Sequence, residues 1–300
     1  MTLVAIAEQA ANGLIISTFY ALIALGIALI FGVLKIVNFA HGEFYMLGGY
    51  SCYLAVTLLG LPPIFGVVFA VVILMAVGVL VEQTLIKPIH TGKVDRPDEY
   101  AIMITFALAI MLLNLANSVF GPWPQRPAPV SRGIVEFGEL IIPGDRLSAA
   151  GIGILLIVGL LLILRYTWAG KAVRAVSQDR AAAETFGINI SRVSMLSFGA
   201  GAALAGAAGA LIGPVFNVVP AMGAVPAIKA YIVVVLGGLG SIPGAIVGAL
   251  ILGQVEVFAT ILIPDTNRAL AYKDAYGLVV LILVLLVRPQ GLFGKPERRA

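Results

Sequence analysis

Charged residues are scarce in this sequence, and that scarcity limits the classes of protein it can belong to. Only 11% of the 300 residues are charged, 60% are hydrophobic, and the mean hydropathy is +1.05. Soluble domains average about 25% charged residues, so a soluble protein of this composition would lack the charge to cover its surface. The composition therefore excludes an ordinary soluble enzyme and indicates a membrane protein.

Cysteine and histidine are also rare. A single cysteine, Cys52, cannot form an internal disulfide, and the two histidines, His41 and His90, are too far apart in sequence to suggest a metal site. The sequence contains no phosphate-binding Gly-x-x-x-x-Gly-Lys-Ser/Thr loop, no nucleophile elbow and no His-Glu-x-x-His motif. We therefore predict no catalytic residue, no metal site and no cofactor bound by this chain, which is not an enzyme.

Long apolar runs occupy most of the chain. A helix needs about 20 apolar residues to cross a bilayer, and the runs lie at positions 10–34, 39–59, 62–81, 100–120, 147–164, 193–213, 227–236, 242–263 and 275–287. They are too long for strands and do not alternate. We predict an all-α polytopic transmembrane helical bundle of about eight or nine hydrophobic segments. It forms a single domain over residues 1–300, with a broken or re-entrant region near 227–262.

The distribution of basic residues predicts the orientation, because Lys and Arg accumulate in short cytoplasmic loops. With the N-terminus outside, thirteen of the 19 basic residues lie on the cytoplasmic side, where the C-terminus also falls. These are Lys35, Lys87, Lys93, Arg96, Arg165, Lys171, Arg174, Arg180, Arg192, Arg288, Lys295, Arg298 and Arg299. The proline-rich segment 121–146 is then an extracytoplasmic loop, and the segment 170–192 is cytoplasmic.

Polar residues interrupt the start of the second apolar run, at Asn38, His41 and Glu43. Ionisable groups inside a membrane are costly and tend to face a cavity or a partner. One interpretation is that these residues shape a translocation path. The other is an ordinary helix start, with Asn38 as the N-cap and Glu43 in the first turn, where the helix dipole favours a carboxylate. The sequence leaves both open.

Glycines break the paired runs near the C-terminal third of the chain. The break comprises Gly237, Gly238, Gly240, Ser241 and Pro243. Transporters use discontinuous helices at midplane binding sites, because such breaks expose backbone groups and helix ends. This interpretation adds the five residues to the translocation path. The alternative is a tight external turn between two helices.

The cytoplasmic segment 170–192 is long for a simple connection. Ser177 or Asp179 can cap a short helix that runs through Glu184, and Gly187 can end it. A short helix on this face is suited to docking a soluble partner, although a surface helix without a partner is the alternative.

The apolar run that follows this segment is rich in small residues. Its small residues at 199–213 predict a surface for close helix packing.

Three of these regions together resemble a known family, the membrane permeases of bacterial branched-chain amino acid ABC importers of the LivH type. The matching stretches are positions 38–50, 170–189 and 236–253, and the likeness runs from about Asn12 to Phe293. The resemblance implies a permease subunit that translocates leucine, isoleucine and valine across the bacterial inner membrane. Transport would be coupled to ATP hydrolysis by separate subunits.

The resemblance also implies partners and a coupling site. The partners are a homologous second permease subunit, two cytoplasmic ATPase subunits and a periplasmic substrate-binding protein. The ATPase-coupling residues would be Asp179, Arg180, Ala183, Glu184 and Gly187. The translocation path would include Asn38, His41, Glu43 and the five residues of the glycine-rich break.

Three other functions stay open from the sequence. A related permease for urea, short amides or another small polar solute would share these motifs. An ion-driven secondary carrier is disfavoured, because the span interiors carry few acidic residues, mainly Glu43 and Glu256. A non-transporting membrane scaffold is disfavoured by the broken helix.

Overall fold

The computed structural model describes residues 3–92, 94–138, 140–262 and 272–294. Four of the thirteen basic residues predicted to be cytoplasmic lie outside them: Lys93, Lys295, Arg298 and Arg299. Arg268 and Ile263, the last residue of the eighth run, also lie outside them. The helices are α1 Leu3–Leu34, α2 His41–Tyr53, α3 Pro63–Val81, α4 Lys87–His90, α5 Pro97–Phe120, α6 Gly144–Tyr166, α7 Trp168–Gln178, α8 Arg180–Thr185, α9 Ile190–Phe216, α10 Ala224–Gly237, α11 Ile242–Leu262 and α12 Lys273–Val287. Two π-helical turns, Leu54–Leu58 and Glu82–Ile86, extend α2 and α3.

Among the described residues, seven helical segments are long and apolar enough to cross a membrane. They are Ile6–Leu34, Pro63–Ile89, Pro97–Phe120, Gly144–Tyr166, Ile190–Phe216, Pro220–Gly237 and Ile242–Thr260. The apolar helix Asp274–Val287 is shorter, and the buried helix α2 has only 13 residues. The chain is an integral membrane protein with a polytopic helical bundle, as its composition predicts.

Close packing of α9 against α1, α2 and α3 forms the centre of the bundle. A Cβ atom added at Gly26 would lie 2.6 Å from the carbonyl oxygen of Gly201, so only glycine allows α1 and α9 to approach this closely. A Cβ added at Gly209 would collide with the carbonyl oxygen of Tyr45 on α2. The small residues of α9 therefore form a packing surface, as predicted.

The bundle has two distinct ends, here called the loop end and the segment end. The loop end holds residues 121–146, and the segment end holds residues 170–192. Helices α1 and α9 run in opposite directions. Gly201, in the first half of α9, contacts Ile30 near the end of α1. Leu211, near the end of α9, and Thr18, earlier in α1, both lie next to Gly153 of α6. Helix α1 thus starts at the loop end. The last described residues lie at the segment end, where the amide of Leu292 donates to the carbonyl of Leu236 at 2.9 Å.

A small antiparallel hairpin lies in the loop 121–146, where the sequence predicted only loop. Strand β1, Ile134–Phe137, pairs with β2, Leu140–Pro143. Its two strands are four residues each, too short for a periodicity argument. The left-handed backbone at Gly138, with φ +67°, permits the tight connection.

The region predicted as broken, near 227–262, forms two antiparallel helices, α10 and α11. A 3-10 turn at Pro220–Gly223 precedes α10, so the span is longer than the apolar run 227–236 and reaches 18 residues over Pro220–Gly237. Each helix is long enough to cross the bundle, and they connect at the segment end.

Candidate functional site

Helix α1 ends at Leu34, and the chain then turns back into the bundle. Lys35 adopts a left-handed backbone, with φ +58°, and its amide donates to the carbonyl of Phe31 at 2.9 Å. This geometry is a common helix ending. The β-branched residues Ile36 and Val37 that follow favour extended backbone over helix. Residues 35–40 are therefore non-helical.

Helix α2 begins deep inside the bundle. The Nε2 atom of His41, its first residue, lies 3.1 Å from the carbonyl oxygen of Ile23. Ile23 is eleven residues before the end of α1, which corresponds to about 16 Å along the helix axis. Residues 35–40 thus form a re-entrant segment, which the interior of a membrane protein tolerates only where neighbouring groups satisfy the backbone.

Three neighbouring interactions hold this re-entrant segment. The side-chain oxygen of Asn38 accepts from the amide of Ala40 at 3.1 Å. The amide of Phe39 donates to Thr105 Oγ1 of α5 at 3.3 Å, and the hydroxyl of Tyr231 on α10 donates to the carbonyl of Asn38. The N-cap of α2 is Ala40, without a side-chain cap. The prediction of Asn38 as N-cap is therefore wrong, because its side chain closes the turn before the helix.

Polar atoms around this helix start keep unused hydrogen-bonding capacity. Asn38 Nδ2, His41 Nδ1 and Glu43 Oε2 are buried atoms without a hydrogen-bond partner among the described residues. Because a carbonyl oxygen only accepts, His41 donates through Nε2 to Ile23. Glu43 lies in the first turn of α2, as predicted. Buried polar groups almost always have a partner, so each of these atoms is suited to bonding with a polar solute, water or a further chain.

The glycine-rich motif forms a tight turn between α10 and α11, the second of the two interpretations. Gly238 and Gly240 adopt positive φ angles of 105° and 77°, which glycine tolerates best. Ser241 Oγ accepts from the amide of Gly244 at 3.1 Å and so caps α11. Gly237 is the last residue of α10, and Pro243 lies in the first turn of α11.

This turn and the start of α2 lie at different depths. A Cβ added at Gly240 would be 3.2 Å from the Cα of Gly32 on α1. Gly32 is nine residues beyond Ile23, the neighbour of His41, or about 14 Å along the axis. The two groups of predicted path residues are therefore not brought together, and their common role in a path stays a prediction.

The segment 170–192 consists of two helices joined at Asp179. The Oδ1 atom of Asp179 accepts from the amide of Ala182 at 2.9 Å and caps α8, which is the second of the two predicted caps. Gly187, with φ +82°, follows the end of α8 as predicted. Asn189 then caps α9 by accepting from the amide of Arg192 at 3.0 Å.

Helix α8 presents most of the predicted coupling residues to the outside. Asp179, Glu184 and Gly187 are exposed, Arg180 is half-buried, and Ala183 is buried against the bundle. Phe186, which the sequence analysis did not single out, is 87% exposed. A large apolar ring this exposed indicates a contact surface.

A buried ionic cluster joins four helices near the loop end. Lys229 Nζ of α10 donates to both carboxylate oxygens of Glu256 on α11, at 2.8 and 2.9 Å. It also lies 2.9 Å from Asp274 Oδ1 of α12 and donates to Tyr20 Oη of α1 at 3.0 Å. The Tyr20 hydroxyl donates to Glu256 at 2.8 Å. Sequence reasoning missed this pairing, although two opposite charges in neighbouring apolar runs were a usable signal.

No group of three or more His, Cys, Asp and Glu side chains that could hold a metal ion forms in the part of the chain that the structure describes. The thiol of Cys52 is buried and free. It packs against Gly66 of α3, where an added Cβ would lie 3.0 Å from its sulfur. Cys52 therefore packs closely against α3.

Comparisons with known proteins agree with this architecture. The model of a family described as "Branched-chain amino acid transport system / permease component" matches residues 9–287. The chain is 34% identical to the high-affinity branched-chain amino acid transport system permease protein BraD of Pseudomonas aeruginosa, over 97% of this chain and 96% of the relative. The same identity and coverage hold for the permease protein LivH of Escherichia coli K12.

A second type of permease is more distantly similar. The chain is 27% identical to the permease protein LivM of Salmonella typhimurium, over 91% of this chain and 67% of the relative. The family match and the two nearer relatives extend over almost the whole helical bundle. The chain therefore belongs to the family of permease components of branched-chain amino acid transport systems.

Proposed function

We propose that this chain is the permease subunit of an ATP-binding-cassette importer that carries leucine, isoleucine and valine across the inner membrane. Separate ATPase subunits hydrolyse ATP, and this chain performs no covalent chemistry and binds no cofactor of its own. The observation that carries the proposal is the re-entrant start of α2, where Asn38, His41 and Glu43 keep unpartnered polar atoms. Non-helical backbone at membrane depth is tolerated where it is buried in protein or lines a water-filled cavity, and transporters place such segments at their substrate sites.

The chemistry of this region fits a zwitterionic amino acid with an apolar side chain. An amide donor from Asn38 and a carboxylate acceptor from Glu43 suit the two charged groups of such a solute. The exposed ring of Phe39 stands edge-on to Phe106 with centroids 6.5 Å apart, and Tyr231 is 6.3 Å away. These rings offer apolar surface next to the polar atoms.

The turn between α10 and α11 acts in the same path as a hinge. Its five residues are Gly237, Gly238, Gly240, Ser241 and Pro243. The support is their position, because the turn closes the segment end of α10, the helix that carries Tyr231. A shift at this end would move Tyr231 relative to the carbonyl of Asn38.

Helix α8 couples this movement to the ATPase subunits. Its residues Asp179, Arg180, Ala183, Glu184 and Gly187 form the docking element, to which we add the exposed ring of Phe186. The buried Ala183 ties the element to the bundle. The segment end then faces the cytoplasm, so the N-terminus is outside and the C-terminus inside.

The assembly contains further chains. A homologous second permease completes the path, two ATPases bind below α8, and a periplasmic binding protein delivers substrate at the loop end. The similarity of the chain to two types of permease, LivH and LivM, supports its pairing with a second permease.

Uptake of radiolabelled leucine into proteoliposomes tests the proposal. One sample contains this chain with its neighbouring permease, ATPases and binding protein, and the other contains this chain alone. We expect ATP-dependent uptake only in the full assembly, with competition by isoleucine and valine. Uptake of urea or a short amide instead would replace the substrate, and uptake by the chain alone under an ion gradient would refute the importer.

A charge reversal tests the coupling site. Glu184→Lys on α8 should abolish co-purification of the ATPase subunits and leucine uptake, while membrane insertion stays normal. The matched control is Asp95→Lys, another exposed acidic residue at the segment end that lies outside α8. Normal ATPase binding by the Glu184 variant would show that α8 is not the docking element.

A further inference from the structure

The junction between α6 and α7 carries an exposed cluster of basic and aromatic side chains. This cluster, called the basic–aromatic patch, comprises Arg165, Tyr166, Trp168, Lys171 and Arg174, all exposed. Lys171 Nζ lies 5.0 Å from the centroid of the Trp168 ring, and Arg165 Cζ lies 5.5 Å from that of Tyr166. Trp168 is 84% exposed. Exposing a large, mostly apolar indole ring to water is unfavourable.

The charge of this patch is not balanced locally. From Arg146 to Gln178 the sequence contains no acidic residue. No described carboxylate forms a salt bridge with Arg165, Lys171 or Arg174. Three positive charges on one short stretch therefore remain available to an anion.

The position of Tyr166 shows what borders the patch. Leu155, Leu162 and Tyr166 are exposed and spaced by seven and four residues, so they share one face of α6. This helix is one of the apolar segments long enough to cross the membrane. The face is thus a lipid-contacting stripe, and Tyr166 and Arg165 stand where that stripe ends.

We propose that the basic–aromatic patch binds the phosphate headgroup of an anionic phospholipid at the segment end. Trp and Tyr favour the membrane interface, where an apolar ring body and a polar edge are both accommodated. Basic residues at this depth attract anionic headgroups. The patch continues a lipid-facing stripe, whereas α8 lies beyond Gln178, so a lipid fits the patch better than a protein partner does.

Native mass spectrometry of the detergent-purified chain, titrated with phosphatidylglycerol or phosphatidylcholine, tests the proposal without any transport assay. We expect preferential binding of phosphatidylglycerol that weakens as salt is added. The triple variant Arg165→Gln, Lys171→Gln, Arg174→Gln should lose on the order of 100-fold in apparent affinity, because each basic residue near an anionic surface contributes about fivefold.

A matched triple variant removes the same charge elsewhere. Lys87→Gln, Arg96→Gln and Arg132→Gln alter exposed residues outside the patch and should retain the preference for phosphatidylglycerol. Equal affinity of the two triple variants would overturn the proposal. So would unchanged lipid binding by the patch variant together with loss of the ATPase subunits, which would assign the patch to a protein partner. Size-exclusion chromatography of both variants shows that each remains folded.

Discussion

Glu256→Gln removes the negative charge opposite Lys229 with almost no change in shape. Glu256 is 1% exposed, and its carboxylate accepts two hydrogen bonds from Lys229 and one from Tyr20. The glutamine keeps one acceptor oxygen but replaces the other by a donor that points at an ammonium group. Of the two carboxylates beside Lys229, only that of Asp274 then remains, and its side chain is 68% exposed. The change therefore isolates the contribution of the buried charge.

The contacts set the size of the expected effect. Removing one partner of a buried ion pair costs about 3–5 kcal/mol, and a hydrogen bond to a charged group contributes about 1.5–3 kcal/mol. Because Asp274 remains 2.9 Å from Lys229, we expect Glu256→Gln to lower the free energy of unfolding by about 3 kcal/mol, the lower end of the range for a buried ion pair. Asp274→Asn should cost about 0–1 kcal/mol, because exposed ion pairs contribute little.

Thermal unfolding in detergent, followed by size-exclusion chromatography, measures both variants. The double variant Lys229→Met, Glu256→Met should recover most of the stability lost by Glu256→Gln, since apolar replacements of a buried pair are close to neutral. If Asp274→Asn lowers the unfolding midpoint more than Glu256→Gln does, the buried pair is not what stabilises the contact between α10 and α11, and the reasoning fails.

Two further predictions concern helix packing and the short helix α8. Gly209→Ala should prevent folding, since its Cβ would collide with the Tyr45 carbonyl. Gly151→Ala, with open space around its Cβ, should instead stabilise α6 by about 0.5–1 kcal/mol; expression and unfolding midpoints compare the two. Asp179→Ala should destabilise α8 locally by about 1 kcal/mol and speed amide exchange there, whereas Asp179→Asn keeps the cap. Equal exchange in both Asp179 variants would contradict a capping role.

The spans, the packing surface of α9 and the cap of α8 could be predicted from the sequence. Apolar runs define the spans, because crossing a membrane demands length and hydrophobicity together. The small residues of α9 predict close helix packing, and α9 and α1 do pack closely where Gly201 contacts Gly26. The cap at Asp179 follows from a side chain that reaches an amide three residues on. Each of these depends on interactions within one helix or on composition alone.

Long-range contacts account for what the sequence did not predict. The depth of His41 depends on contact with Ile23 of α1, and the turn before α2 depends on Tyr231, almost two hundred residues downstream. Lys229 and Glu256 were both visible as charges in apolar surroundings, but their pairing follows only from the antiparallel arrangement of α10 and α11.

The burial of α2 has a consequence for how the protein is made. Helix α2 begins with His41, carries Glu43 in its first turn and packs mainly against α9, which ends at Phe216. At about 5–20 residues per second, roughly 10–30 seconds of synthesis separate the two helices. During that time the polar start of α2 faces either lipid, which is costly, or the insertion machinery. Stable membrane integration of α2 is therefore completed only after α9 has been translated.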